Sequence, residues 1–145
     1  MKKIETLIQQ YGLSHQNNVN KLIHWICVPI ILFTIIGIVA AIPFPSKLNT
    51  WIFNWGGILL AVTSWYYWRI SKTLFVGFVT FSILFLYLNH LLGLYLSQQG
   101  IHQLQALITM FILAWIGQFI GHSIEGKRPS FFQDLQFLLI GPAWL

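Results

Sequence analysis

Residues 15–44 read HQNNVNKLIHWICVPIILFTIIGIVAAIPF. The first ten are polar apart from Val19, Leu22 and Ile23, and a histidine stands at each end. The next twenty are almost wholly apolar, and about 20 such residues cross a bilayer as a helix. This stretch decides the fold class, because a core helix of a soluble domain alternates polar and apolar faces and this one does not. Its polar front has two readings. It is a helix cap with an interface anchor, or it is half of a metal site.

Composition agrees with the apolar run. The chain has 145 residues, 57% hydrophobic, 17% aromatic and only 8% charged, against roughly 25% charged in a soluble domain. An all-α integral membrane protein follows, with residues 1–145 as a single membrane-embedded domain. The formal charge of +5 fits basic loops beside anionic headgroups. No basic patch interleaved with aromatics points to nucleic acid. Cys27 is the one cysteine, so no intrachain disulfide forms, and it reads as a small buried apolar residue. Lys2 and Lys3 precede the polar IETLIQQYGLSHQNN (4–18) rather than an apolar segment, so no cleavable signal peptide is expected.

Outward from the opening stretch, four spans are expected near 22–42, 51–69, 73–97 and 104–124. Pro43 and Pro45 stop the first, and Asn49-Thr50 is the candidate cap of the second. Arg69 and Lys72 separate the second from the third. SQQGIHQ (97–103) separates the third from the fourth, which ends at Glu125-Gly126 with glycine suited to the position after a helix. Two short interfacial helices flank the spans. Ile4, Leu7, Ile8 and Tyr11 have the spacing of an amphipathic helix. SFFQ (130–133) fits a capping box before FFQDLQFLLI, too short to span. Lys2, Lys3 and Lys21, Arg69 and Lys72, and Lys127 and Arg128 then share one side. The positive-inside rule makes that side cytoplasmic, with both termini on it. The membrane is a bacterial inner membrane or the endoplasmic reticulum.

This topology sorts the five histidines. His15, His24 and His122 gather at the cytoplasmic face. His102 is in the opposite loop, and His90 lies roughly 25 Å along the third span from its cytoplasmic end. On the fourth span Phe111, Trp115, Gln118, His122 and Glu125 share one face; on the first, Asn17, Asn20 and His24 align with Lys21 beside them. Two histidines with one carboxylate and open positions are the pattern of oxygen-activating Fe(II), and imidazole with carboxylate also suits Zn, Mn or Ni. Ionisable groups at membrane depth are costly and point to function. The plainer readings are headgroup contacts for single histidines, a loop ion pair of Glu125 with Lys127 or Arg128, a cap for Asn17, and interhelical hydrogen bonds for Gln118 and Asn89-His90.

The spacing His15, Asn17, Asn20, His24, Pro29, followed late in the chain by QFIGH (118–122), Glu125 and Pro129, resembles the family named for metabolism of phytosphingosine. The resemblance covers nearly the whole chain, including LLIGPAWL (138–145). It implies an Fe(II)-dependent dioxygenase that shortens 2-hydroxy long-chain fatty acids by one carbon, with His15, His24 and His122 as the iron site. Glu125 stands at the motif's acidic position, as a fourth ligand or as an orienting group. Lys21, or Arg69, would attract the substrate carboxylate. Asn17, Asn20 and Gln118 are the amides placed to bind substrate or to hold the imidazoles. Oxygen, a 2-hydroxy fatty acid and membrane lipids are the expected partners, and a homo-oligomer is left open. Two rivals use the same residues: a Zn-dependent membrane lipid hydrolase, and a non-enzymatic lipid-binding membrane protein whose histidines are interface anchors.

Overall fold

A computed structural model describes residues 17–45, 50–124 and 126, with the backbone alone at Ile70 and Leu74. Four helices carry the chain: α1 (Asn18–Ala40), α2 (Trp55–Ile70), α3 (Lys72–Gln98) and α4 (Gln103–Ile124). No strand occurs among the described residues. The expected interfacial helices over 4–12 and 131–140 lie outside them.

α1 starts earlier than the hydropathy pattern suggests. Asn17 Oδ1 accepts the N–H groups of Val19 at 2.8 Å and Asn20 at 3.4 Å, satisfying donors that a first helical turn leaves without backbone partners. The polar residues 18–21 are therefore helical and extend the apolar run. Pro29 lies inside the helix and leaves the Trp25 carbonyl without its usual donor.

The second helix corrects the sequence reading at its start. It begins at Trp55 rather than near residue 51, and Asn54, not Asn49-Thr50, is its cap. Asn54 Oδ1 accepts from Gly57 N–H at 3.0 Å, while its Nδ2 donates to the Thr50 and Trp51 carbonyls. Thr50 Oγ1 accepts from Phe53 N–H instead. The pair thus folds residues 50–54 into a turn, and Trp55 Nε1 ties that turn back to the Pro43 carbonyl. α2 has 16 residues, a rise of about 24 Å, against roughly 30 Å of hydrocarbon. α1, α4 and Phe75–Gln98 of α3 are each long and apolar enough to cross a membrane.

A single residue, Ser71, joins α2 to α3. Its N–H donates to the Tyr67 carbonyl at 2.9 Å and its carbonyl accepts from Phe75 N–H at 3.0 Å. Tyr67 then stacks on Phe78 at 4.5 Å, and Trp68 meets Phe75 edge to face at 5.0 Å. α3 ends in a Schellman motif, with Ile101 N–H on the Leu96 carbonyl and Gly100 N–H on that of Ser97. Gly100 there has φ +70°, a conformation that costs a residue with a Cβ. Gly126 after α4 has φ +69°, as the sequence leads one to expect.

The described residues form two compact units, 17–32 with 112–126 and 33–111. In the second unit Asn89 makes the interhelical bond expected of it. Its Nδ2 donates to the Phe33 carbonyl of α1 at 3.1 Å and to its own Phe85 carbonyl at 3.0 Å. Gln103 Nε2 donates to the Asn89 carbonyl at 2.8 Å. Outward-facing side chains are large and apolar, Trp65 at 66% and Leu113 at 62% exposure among them. That surface suits lipid and not water.

Gly37 marks how close α1 comes to its neighbours in this unit. A Cβ there would collide with Asn89 Oδ1 and stand 2.8 Å from Leu107 Cδ1, whereas one on Gly77 would meet nothing within 4 Å. Gly37→Ala should therefore destabilise the detergent-solubilised protein by about 1–3 kcal/mol, and Gly77→Ala should change it by less than about 1 kcal/mol. Thermal unfolding of the two variants side by side checks this.

Candidate functional site

The first unit holds the site residues of α1 and α4. On α1, Asn20, His24 and Val28 follow one another at four-residue spacing and are all buried, Asn20 wholly so. On α4, Ala114, Gln118, Gly121 and His122 form the buried face. The two imidazoles meet there. The His24 and His122 rings lie 5.1 Å apart, centroid to centroid, at 86°.

Two glycines make this meeting possible. A Cβ on Gly121 would collide with Asn20 Oδ1 and stand 3.3 Å from Ile23 Cγ2; one on Gly117 would stand 2.7 Å from Cys27 Sγ. Gly117 and Gly121 belong to GQFIG (117–121), a Gly-x-x-x-Gly pattern that lets apolar helices approach closely. This is the functional signal that the reading of polar stripes passes over, and it was available in the sequence.

The remaining candidates fall into three groups. Gln118 is buried, and its Nε2 has no hydrogen-bond partner among the described residues. Such a buried donor costs about 1–3 kcal/mol. Asn17 is exposed and caps α1, and Lys21 is half-buried. His15 and Glu125 lie outside the described residues. His90 and His102 are exposed and belong to the second unit. Arg69 lies over the Trp65 ring at 5.9 Å and Lys72 over that of Trp68 at 5.9 Å, aromatic platforms common at a membrane interface.

Two imidazoles that share one metal have a defined spacing. With a metal–nitrogen distance of about 2.1 Å, an imidazole centroid sits roughly 3 Å from the ion, and two ligands separated by roughly 90–110° have centroids about 4.5–5.5 Å apart. The observed pair fits this. An edge-to-face contact of two neutral rings has the same spacing, so donor number, not spacing, separates the cases. Among the described residues no group of three His, Cys, Asp or Glu side chains is assembled.

The whole chain, residues 1–145, matches the family model described as 2-hydroxy-palmitic acid dioxygenase Mpo1-like, and the protein belongs to this Mpo1-like family. Neither the curated proteins nor the solved structures gave a match.

The ring contact is directly measurable. In chelator-treated protein a double-mutant cycle of His24→Ala and His122→Ala should give a coupling of about 0.5–1.5 kcal/mol. Additive effects would mean that the rings do not touch.

Proposed function

We propose that the protein is an Fe(II)-dependent dioxygenase that shortens 2-hydroxy long-chain fatty acids by one carbon. The observation that carries this reading is the buried His24–His122 pair in a chain matched over its full length by a family whose description names a 2-hydroxy-palmitic acid dioxygenase. His24 and His122 would hold the metal with His15, and Glu125 would either complete the donor set or hydrogen-bond an imidazole. Bound iron would supply oxygen activation and an anchor for the adjacent hydroxyl and carboxylate oxygens of the substrate.

The protein's own groups do the rest. Gln118 Nε2, a buried donor one helical turn before His122, would bond a substrate oxygen and so recover the cost of its burial. Asn20, at zero exposure, holds α1 against Gly121 and with it the His24 imidazole. Lys21 would draw the carboxylate to the site and keep it at headgroup depth. The acyl tail would lie among the apolar side chains of the helices. In this reading α2 is a fourth span, both termini are cytoplasmic, and the membrane is a bacterial inner membrane or the endoplasmic reticulum.

The reaction balances without an added reductant. A 2-hydroxy acid and one O2 give the acid one carbon shorter, CO2 and water, the substrate supplying all four electrons. Oxygen uptake by anaerobically purified, iron-loaded protein should therefore match 2-hydroxypalmitate consumed one to one. His122→Ala should lose turnover and hold iron more weakly than the native chain, so that it loads only at excess Fe(II). Full turnover in that variant, or zinc content with no oxygen uptake, would overturn the proposal, the second in favour of a hydrolase.

A further inference from the structure

The second unit carries a cleft of about 380 Å³ that the chemistry above does not use. Its size lies within the range of small-molecule sites. Gly37 of α1, Asn89 and Gly93 of α3 and Gln103 of α4 line it, and Trp51 and His90 line it too.

Asn89 is the informative residue. It is 4% exposed, and its Nδ2 is spent on the Phe33 and Phe85 carbonyls. Its Oδ1 is buried with no hydrogen-bond partner among the described residues. That oxygen faces Gly37, where a Cβ would collide with it, and the Gly37 methylene is at best a weak donor. Gln103 is arranged alike. Its Nε2 is spent on the Asn89 carbonyl, and its Oε1 stands 2.6 Å from where a Gly93 Cβ would be. Asn54, also in the wall, is satisfied on both its oxygen and its nitrogen.

The cleft therefore offers amide side-chain oxygens, at least one of them buried and unused, and among the described residues no Lys, Arg, Asp or Glu lines it. A ligand that fits brings hydrogen-bond donors to these oxygens, and an uncharged one enters without needing a carboxylate or ammonium partner, which the described lining does not supply. The indole of Trp51 adds a flat apolar wall for the C–H face of such a group. We propose that this cleft binds an uncharged, hydroxyl-bearing group, a sugar or glycerol moiety, with Asn89 Oδ1 as its buried acceptor. The group comes either from a lipid headgroup or from a free polyol.

The test uses the full chain in phosphatidylcholine nanodiscs, with and without monoglucosyl-dioleoylglycerol. Native mass spectrometry counts the lipid retained, and melting without the glycolipid checks the fold. One retained glycolipid per chain, in preference to phosphatidylcholine, is expected. Trp51→Ala should weaken retention on the order of tenfold. Ala41→Phe, which fills the cleft from an exposed position, should abolish it with unchanged melting and unchanged turnover of 2-hydroxypalmitate. Displacement by methyl glucoside would assign the site to free polyols, and its failure would assign it to the headgroup. Equal retention of phosphatidylcholine and glycolipid, or full retention by a well-folded Ala41→Phe, would overturn the proposal.

Discussion

Gly117 and Gly121 present no side chain, and Cys27 and Asn20 of α1 fill the space they leave. Between helices in hydrocarbon there is no hydrophobic force to drive association, because lipid tails are as apolar as the side chains. Close packing and shared hydrogen bonds must hold the helices instead. The glycine pair provides the first and Asn20 a polar side chain at the contact. His24 lies one turn beyond Asn20 on α1, and His122 is next to Gly121 on α4. The approach of these backbones is what brings the two imidazoles to 5.1 Å.

The same logic explains the amide cluster of the second unit. Gly37 and Gly93 leave room for Asn89 and Gln103, whose amides bond backbone carbonyls of α1 and α3. Small residue and polar residue again come as a pair. The two clusters differ in chemistry. One presents imidazoles, which are metal ligands by type; the other presents amide oxygens, which accept hydrogen bonds. Of the buried polar side chains among the described residues, Asn20, His24, Gln118 and His122 stand at the first station and Asn89 at the second, and Gln118 Nε2 and Asn89 Oδ1 are each left there without a hydrogen-bond partner among those residues.

Much of this was legible in the sequence, for reasons that differ by element. α3 and α4 fall within a residue of their expected bounds, because polar turns with Ser71 and Gly100 interrupt long apolar runs on both sides. α1 and α2 were misjudged at their starts. Hydropathy does not register that Asn17 makes Asn18 to Lys21 helical. Nor does it register that Trp51 to Phe53 belong to a turn closed by Asn54, because that outcome depends on which of several cap-capable side chains finds the backbone donors. The pairing of His24 with His122 was readable from the polar stripes on two helix faces. The glycines that permit it were readable too, yet only as a pair at four-residue spacing; singly, each looks like any small residue of a membrane helix. The open oxygen of Asn89 was not readable, since which amide atom is satisfied is decided by tertiary contacts.

The central claim is that His24 and His122 bind one ion together. X-ray absorption at the iron edge, on anaerobic iron-loaded protein, measures this most directly. Outer-shell scattering from about three imidazoles is predicted for the native chain, with one fewer in His24→Ala and in His122→Ala alike. Iron whose scattering lacks imidazole, or is unchanged in both variants, would contradict the account.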